Sequence, residues 1–146
     1  MRHSGSRLAI AGFALLTGLV GCASDPRPDP RDTVKDFFAA IRASDSLYLS
    51  QHLDMNSAIG TLGEDLAMDS GSSDPTTSLL AALTGEGKIR ERWLDNQIVI
   101  GRAQSSADTA WVEVSFIDRL TRVQYYNKMR LDYRSDRWVI NSFRTL

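Results

Sequence analysis

The sequence predicts an α+β fold in which N-terminal helices pack on a curved antiparallel β-sheet. Three observations carry this. Apolar residues recur at helical spacing from Val34 to Ile41, the apolar period falls to two from Asn96 onward, and the late strands are separated by short polar turns, not by helices. Helices gathered first and strands gathered last segregate the helices to one face of the sheet.

Taken in order, Thr33-Val34-Lys35-Asp36 fits a capping box opening a first helix, and Val34, Phe37, Phe38 and Ile41 fall at offsets of zero, three, four and seven. Ser44-Asp45-Ser46 interrupts and recaps. Leu47, Tyr48, Leu49 and Leu53 then support a second short helix. Ile59, Leu62 and Leu66 suggest a third, weakened by Gly60 and Gly63, and Met68 to Asp74 reads as a polar loop that would be a lid or a plain linker. Asp74-Pro75 is an N-cap with proline at the first helical position, leading into Leu79, Leu80 and Leu83, with Gly85 as the stop.

The first strand covers Asn96 to Gln104, and Ser105-Ser106-Ala107-Asp108 turns the chain. Ala110, Val112, Val114 and Phe116 alternate with Trp111, Glu113, Ser115 and Ile117 in the next strand. Val123, Tyr125, Met129 and Leu131 share an inward phase with Asn127 in the third. Ser135-Asp136 turns again, and Trp138 to Arg144 supplies the last strand, completing an antiparallel meander.

Three stretches carry a resemblance: Val34-Lys35-Asp36-Phe37-Phe38-Ala39-Ala40-Ile41-Arg42-Ala43-Ser44-Asp45, Asp108-Thr109-Ala110-Trp111-Val112-Glu113-Val114 and Asp136-Arg137-Trp138-Val139-Ile140. Together they resemble the nuclear-transport-factor-2-like superfamily, and within it small secreted lipoproteins of unknown function. The resemblance covers about residues 32–146 and rests on core and turn residues, so it speaks to fold more than activity. It implies a cone with a pocket between helices and sheet, for which Phe37, Phe38, Tyr125, Asn127 and Met129 are the candidate lining. Some members, the ketosteroid isomerases among them, are enzymes with an Asp base and Tyr and Asp donors. None of those roles maps onto a position here. Members often dimerise through the open sheet face, and the matching apolar candidates are Trp111, Ile117, Tyr126 and Phe143. Asn127 has two readings, a polar group inside a ligand pocket or an amide hydrogen-bonded within the core; without partners it would cost about 2–7 kcal/mol.

The N-terminal segment has a basic start (Arg2, Arg7) and an apolar run of 13 positions from Leu8 to Val20. A bilayer span needs about 20, so a secretory signal peptide is the better reading. Leu19-Val20-Gly21-Cys22 resembles the lipobox of bacterial lipoproteins. That implies cleavage between Gly21 and Cys22 and acylation of the Cys22 thiol, with palmitate-like chains forming a membrane anchor. Each buried methylene contributes about 0.8 kcal/mol, so two or three chains hold stably where one does not. The alternative, Cys22 as a core cysteine, fits its position poorly. The chain would thus divide into residues 1–21 (signal), 22–31 (lipidated cysteine and Pro-rich tether) and 32–146 (the domain). With proline at 26, 28 and 30, the nine residues from Ala23 to Arg31 favour polyproline II and would reach about 28 Å. Ala23 is not the Asp that resembles an inner-membrane retention signal, which points to the outer membrane, facing the periplasm, in a Gram-negative cell.

Without its first 21 residues the chain has 15 Lys and Arg against 18 Asp and Glu, since only Arg2 and Arg7 leave with the signal. This is no nucleic-acid-binding composition. Cys22 is the one cysteine, which rules out an internal disulfide. His3 leaves with the signal, so His52 remains alone and no His/Cys cluster can hold a transition metal; it reads as a helix-surface histidine. Gly85-Glu86-Gly87-Lys88 lacks the strand and spacing of a P-loop. Glu113, Asp118 and Asp132 fall out of phase with the apolar runs or end them, towards water, and the dispersed arginines, Arg90 included, read as a solvated sheet face. Two function classes follow. One is a non-catalytic envelope module that binds an apolar small molecule, a second copy or another envelope protein, without cofactor. The other is a small isomerase or dehydratase using the cone pocket.

Overall fold

The computed structural model describes residues 27–60 and 74–144. Helix α1 (Pro30–Ala43) begins at Asp29, whose side chain accepts from the Arg31 N–H at 2.9 Å. Pro30 follows at the first position, where a missing N–H costs nothing. The capping box expected at Thr33 is therefore not used, because Asp29-Pro30 starts the helix one turn earlier. Val34, Phe37, Phe38 and Ile41 are buried as their spacing predicts. Ser44 ends the helix in the left-handed region at φ 56°.

Helix α2 (Ser46–His52) is capped by Asp45, which accepts from the Tyr48 N–H at 3.0 Å. Past it, Leu53 forms a parallel bridge to Ile140, and the Asp54 N–H donates to the Ile140 carbonyl at 2.8 Å. Residues 55–60 are helical. The rest of the expected third helix, with Leu62 and Leu66, and most of the Met68 to Asp74 loop lie outside the described residues. Helix α3 (Pro75–Leu83) starts on Asp74 and stops before Gly85, at φ +56°, as its sequence signals. Helix α4 (Lys88–Leu94) was not expected. Seven residues with one buried pair, Ile89 and Trp93, give too little period to read.

The sheet is an antiparallel meander of β1 (Asn96–Ser106), β2 (Thr109–Asp118), β3 (Gln124–Arg134) and β4 (Arg137–Ser142), in that order. Ser135 and Asp136, at φ 50° and 59°, form the two-residue turn whose twist suits a hairpin. Two bulges break the ladders. On β1 the register shifts between Ile100 and Ala103, where Gly101 leaves room for Glu113: a Cβ there would lie 3.2 Å from the Glu113 Cβ. On β4 the pairing passes from Leu131↔Ile140 to Arg130↔Ser142, so Asn141 is the extra residue.

The helices cover the face carrying Ala110, Val112, Val114, Phe116, Met129, Leu131 and Ile140, all fully buried. At its centre stands Trp93, with ring centroids of Phe37, Phe38, Phe116 and Phe143 at 5.3–6.2 Å. Arg90, expected on a solvated sheet face, belongs instead to α4 and ends α1: its Nε donates to the Ile41 carbonyl at 2.9 Å and its Nη2 to that of Arg42 at 3.0 Å. The guanidinium thus caps the C-terminal carbonyls of α1, sharing that of Ile41 with the Ser44 N–H at 3.2 Å.

Candidate functional site

Among the described residues, those proposed for an interior pocket divide between the packed core and the surface. Phe37, Phe38 and Met129 are packed into the aromatic core, because Trp93 from the unexpected helix fills the space between α1 and the sheet. Tyr125 shares the inner face with its partner Phe116 but lies 45% exposed, beyond the reach of the helices. Asn127 is buried, and its amide is spent on backbone: Nδ2 donates to the Arg144 carbonyl at 2.5 Å, and Oδ1 accepts from the Arg144 N–H at 3.3 Å. Asn127 thus bonds within the fold and also borders the groove described below.

Of the expected open-face residues, Trp111 and Tyr126 are exposed and Ile117 is half-buried. Phe143 is corrected: it is 1% exposed, inside the core against Phe37 and Trp93. Simple alternation fails because the Asn141 bulge inverts the phase of everything after it.

Where the chain leaves β4, the open face forms a groove of about 610 Å³. Trp111, Glu113 and Lys128 line it from β2 and β3. Tyr126, Asn127 and the segment Ser142 to Arg144 complete it. Trp111 has the Lys128 ammonium 5.6 Å and the Arg130 guanidinium 5.9 Å from its ring centroid. An indole with two cations at its face, beside Glu113, offers apolar contact area with charge of both signs at hand. The groove thus joins Trp111, Tyr126, Asn127 and Phe143, which alternation had divided between two faces. Period-two reasoning could not find it, since it arises where a strand ends and a bulge turns the tail.

Other carboxylates serve local structure. The backbone N–H groups of Thr121 and Leu120 hold Asp118 below the usual carboxylate range, and a backbone bond from Ser57, followed by Arg134 at 2.7 Å, does so for Asp54. Asp132 accepts from Asn141 Nδ2 at 2.5 Å. His52 is half-buried and stacks on Tyr48, with centroids 4.0 Å apart and planes at 9°. Burial, with Asp36 adding to it, pushes the Tyr48 phenol up to about 12. Among the described residues no three His, Cys, Asp or Glu side chains converge as a metal site. No described helix is long and apolar enough to cross a membrane.

At the end of the sheet carrying the β1–β2 and β3–β4 turns, the N-terminal segment is clamped. Arg27 donates to the Ala107 carbonyl and pairs with Asp108 at 3.2 Å, and its guanidinium lies 5.5 Å from the Tyr133 and 5.8 Å from the Trp138 ring centroid. Trp138 Nε1 donates to the Pro28 carbonyl at 2.6 Å. Part of the segment expected to form a free tether is thus held to the domain.

Helices collected on one face of a four-stranded antiparallel meander define the nuclear-transport-factor-2-like fold, and the chain has that fold. It is similar to the protein Rd1NTF2_04 with long sheet, at TM-score 0.53 and 13% identity over 81% of this chain and 100% of that one. A substituted form of Rd1NTF2_05 matches at TM-score 0.51 and 14% identity, over 80% and 98%. A Campylobacter jejuni protein described as an NTF2-like transpeptidase matches at 0.48 and 16%, over 77% and 97%. No family model matches the chain, and no curated protein matches it.

Proposed function

We propose that this chain is an envelope lipoprotein whose domain acts as a non-catalytic binding or interaction module, with the groove beside Trp111 as its contact site. In this reading residues 1–21 are removed, Cys22 carries the acyl anchor, and the domain faces the periplasm from the outer membrane. The observation that carries the binding role is the contrast between interior and surface. The space between helices and sheet is occupied by Trp93, Phe37, Phe38, Phe116 and Phe143, while the open groove displays Trp111, Tyr126 and Lys128. The buried polar side chains among the described residues are Ser78, Asn127 and Asn141, which gives the isomerase alternative no buried carboxylate to build on. The groove suits an apolar molecule with a charged end, a second copy or another envelope protein.

Native mass spectrometry of the protein purified gently from the envelope tests both halves. Acyl mass on a chain beginning at Cys22, with a discrete added mass lost on Trp111→Ala, is the expected result. An unmodified precursor would remove the anchor. An apo monomer unaffected by Trp111→Ala would remove the groove.

A further inference from the structure

We propose that the β2–β3 turn is a bilayer-contacting element that lays the anchored domain along its membrane. The proposal rests on the lipoprotein reading above and concerns a surface at the opposite end of the sheet from the Arg27 clamp. Seven large apolar side chains are exposed in the described residues, and four of them, Leu120, Val123, Tyr125 and Tyr126, fall within this one turn and the start of β3. Leu120 is 94% exposed. Flexibility does not account for that, because the turn is tightly built. Asp118 Oδ1 accepts from the Leu120 and Thr121 N–H groups at 2.8 and 2.7 Å, the Arg122 N–H donates to the Asp118 carbonyl at 3.0 Å, and the Asp118 N–H donates to the Val123 carbonyl at 2.9 Å. The apolar knob is held out in a fixed shape, so little ordering is needed when it docks.

The chemistry around Leu120 matches a lipid interface. Arg119 and Arg122 are exposed and make no ion pair among the described residues, while the Asp118 carboxylate is turned into the backbone of the turn. An aliphatic tip between two arginines, backed by two tyrosines, would place Leu120 at the acyl boundary, the guanidinium groups on anionic phosphates and the phenols at headgroup level. The membrane is also the one surface an acylated chain always has within reach, so a weak contact suffices.

Reach fixes the orientation. Five Cα steps from Cys22 to Arg27 span at most about 18 Å. The eleven residues of β3 extend roughly 36 Å at ~3.3 Å each. Standing upright on its anchor, the domain would carry Leu120 well clear of the lipid. With the sheet axis parallel to the bilayer, both ends touch it.

The test uses the acylated chain with a nitrobenzoxadiazole label on Thr121→Cys, reconstituted in phosphatidylethanolamine and phosphatidylglycerol vesicles, with Leu47→Cys as the control. Leu47 is 66% exposed but lies on α2. The expected result is blue-shifted emission and several-fold slower dithionite reduction at Thr121→Cys than at Leu47→Cys, lost on adding Leu120→Asp or on changing Arg119 and Arg122 to Glu. Equal reduction at the two positions in a vesicle-bound, acylated chain overturns the proposal. So does shielding that persists in Leu120→Asp, or shielding in native membranes but not in protein-free vesicles, which would assign the turn to a protein partner. Absence of acyl mass would instead count against the lipoprotein reading, so the two failures are distinct.

Discussion

The Asn127 side chain holds Arg144 by its backbone, donating to the carbonyl at 2.5 Å and accepting from the N–H at 3.3 Å. An amide side chain thereby does what a neighbouring strand would do, continuing the attachment of the tail to β3 after β4 has ended at Ser142. Replacing it with alanine removes both bonds, each worth about 1 kcal/mol net. Asn127→Ala should lower unfolding stability by about 2 kcal/mol, read as a drop in the denaturant midpoint, with faster hydrogen exchange at the Arg144 amide. Asn127→Asp should not rescue it at neutral pH, because a carboxylate cannot donate to the Arg144 carbonyl. Unchanged exchange at Arg144 would separate the tail from Asn127.

At the other end of the sheet, Trp138→Phe keeps a buried ring but removes the donor to the Pro28 carbonyl. The expected loss is about 1 kcal/mol. Since Asp29 caps α1 from the same segment, freeing Pro28 should also loosen the first turn and speed tryptic cleavage after Arg31. Arg27→Ala should act the same way, through Tyr133 and Trp138. Cleavage at the parent rate in both variants would mean that the clamp does not order the helix start.

Two glycines two residues apart test why the α3–α4 connection holds its shape. A Cβ on Gly87 would meet the carbonyl oxygens of Ala81 and Ala82 at 2.3 Å, so Gly87→Ala must push α4 off the end of α3. The cost should be about 1–3 kcal/mol, with Trp93 fluorescence changing as its helix shifts. Gly85 has nothing within 4 Å but a φ of +56°. Gly85→Ala should therefore cost about 1–2 kcal/mol through backbone strain, without moving Trp93. A fluorescence change in Gly85→Ala and none in Gly87→Ala would reverse the assignment.

The legibility of the chain divides along physical lines. Val34, Phe37, Phe38 and Ile41, and the alternation from Ala110 to Phe116, fixed a helix face and a strand face because many residues repeat one period. Helix α4 was hidden because Ile89 and Trp93 alone form its buried face. That omission also made the interior look open, since Trp93 is the side chain that fills it. Alternation puts Phe143 on the wrong face because one extra residue, Asn141, reverses the phase without leaving a composition signal. The groove depends on both facts, the bulge and the length mismatch between β3 and β4, so residue pattern alone could name its side chains but not bring them together.

Tyr48 supplies a pH prediction whose sign can be worked out. Its phenol is half-buried and stacked on His52, and burial raises its pKa from 10.0 to about 12. The folded state therefore retains the proton over a range where the unfolded chain has lost it. Stability from the neutral phenol is fully present below pH 10 and is lost as the pH rises towards about 12. Phenolate absorbance compared between the parent and Tyr48→Phe should show one phenol titrating near 12 in the folded protein and near 10 in denaturant. The alkaline fall in stability should be shallower in Tyr48→Phe, because phenylalanine can stack on His52 without ionising. A difference titration centred near 10 in the folded state would mean that water reaches the Tyr48 hydroxyl freely, and the pH dependence assigned to it would then disappear.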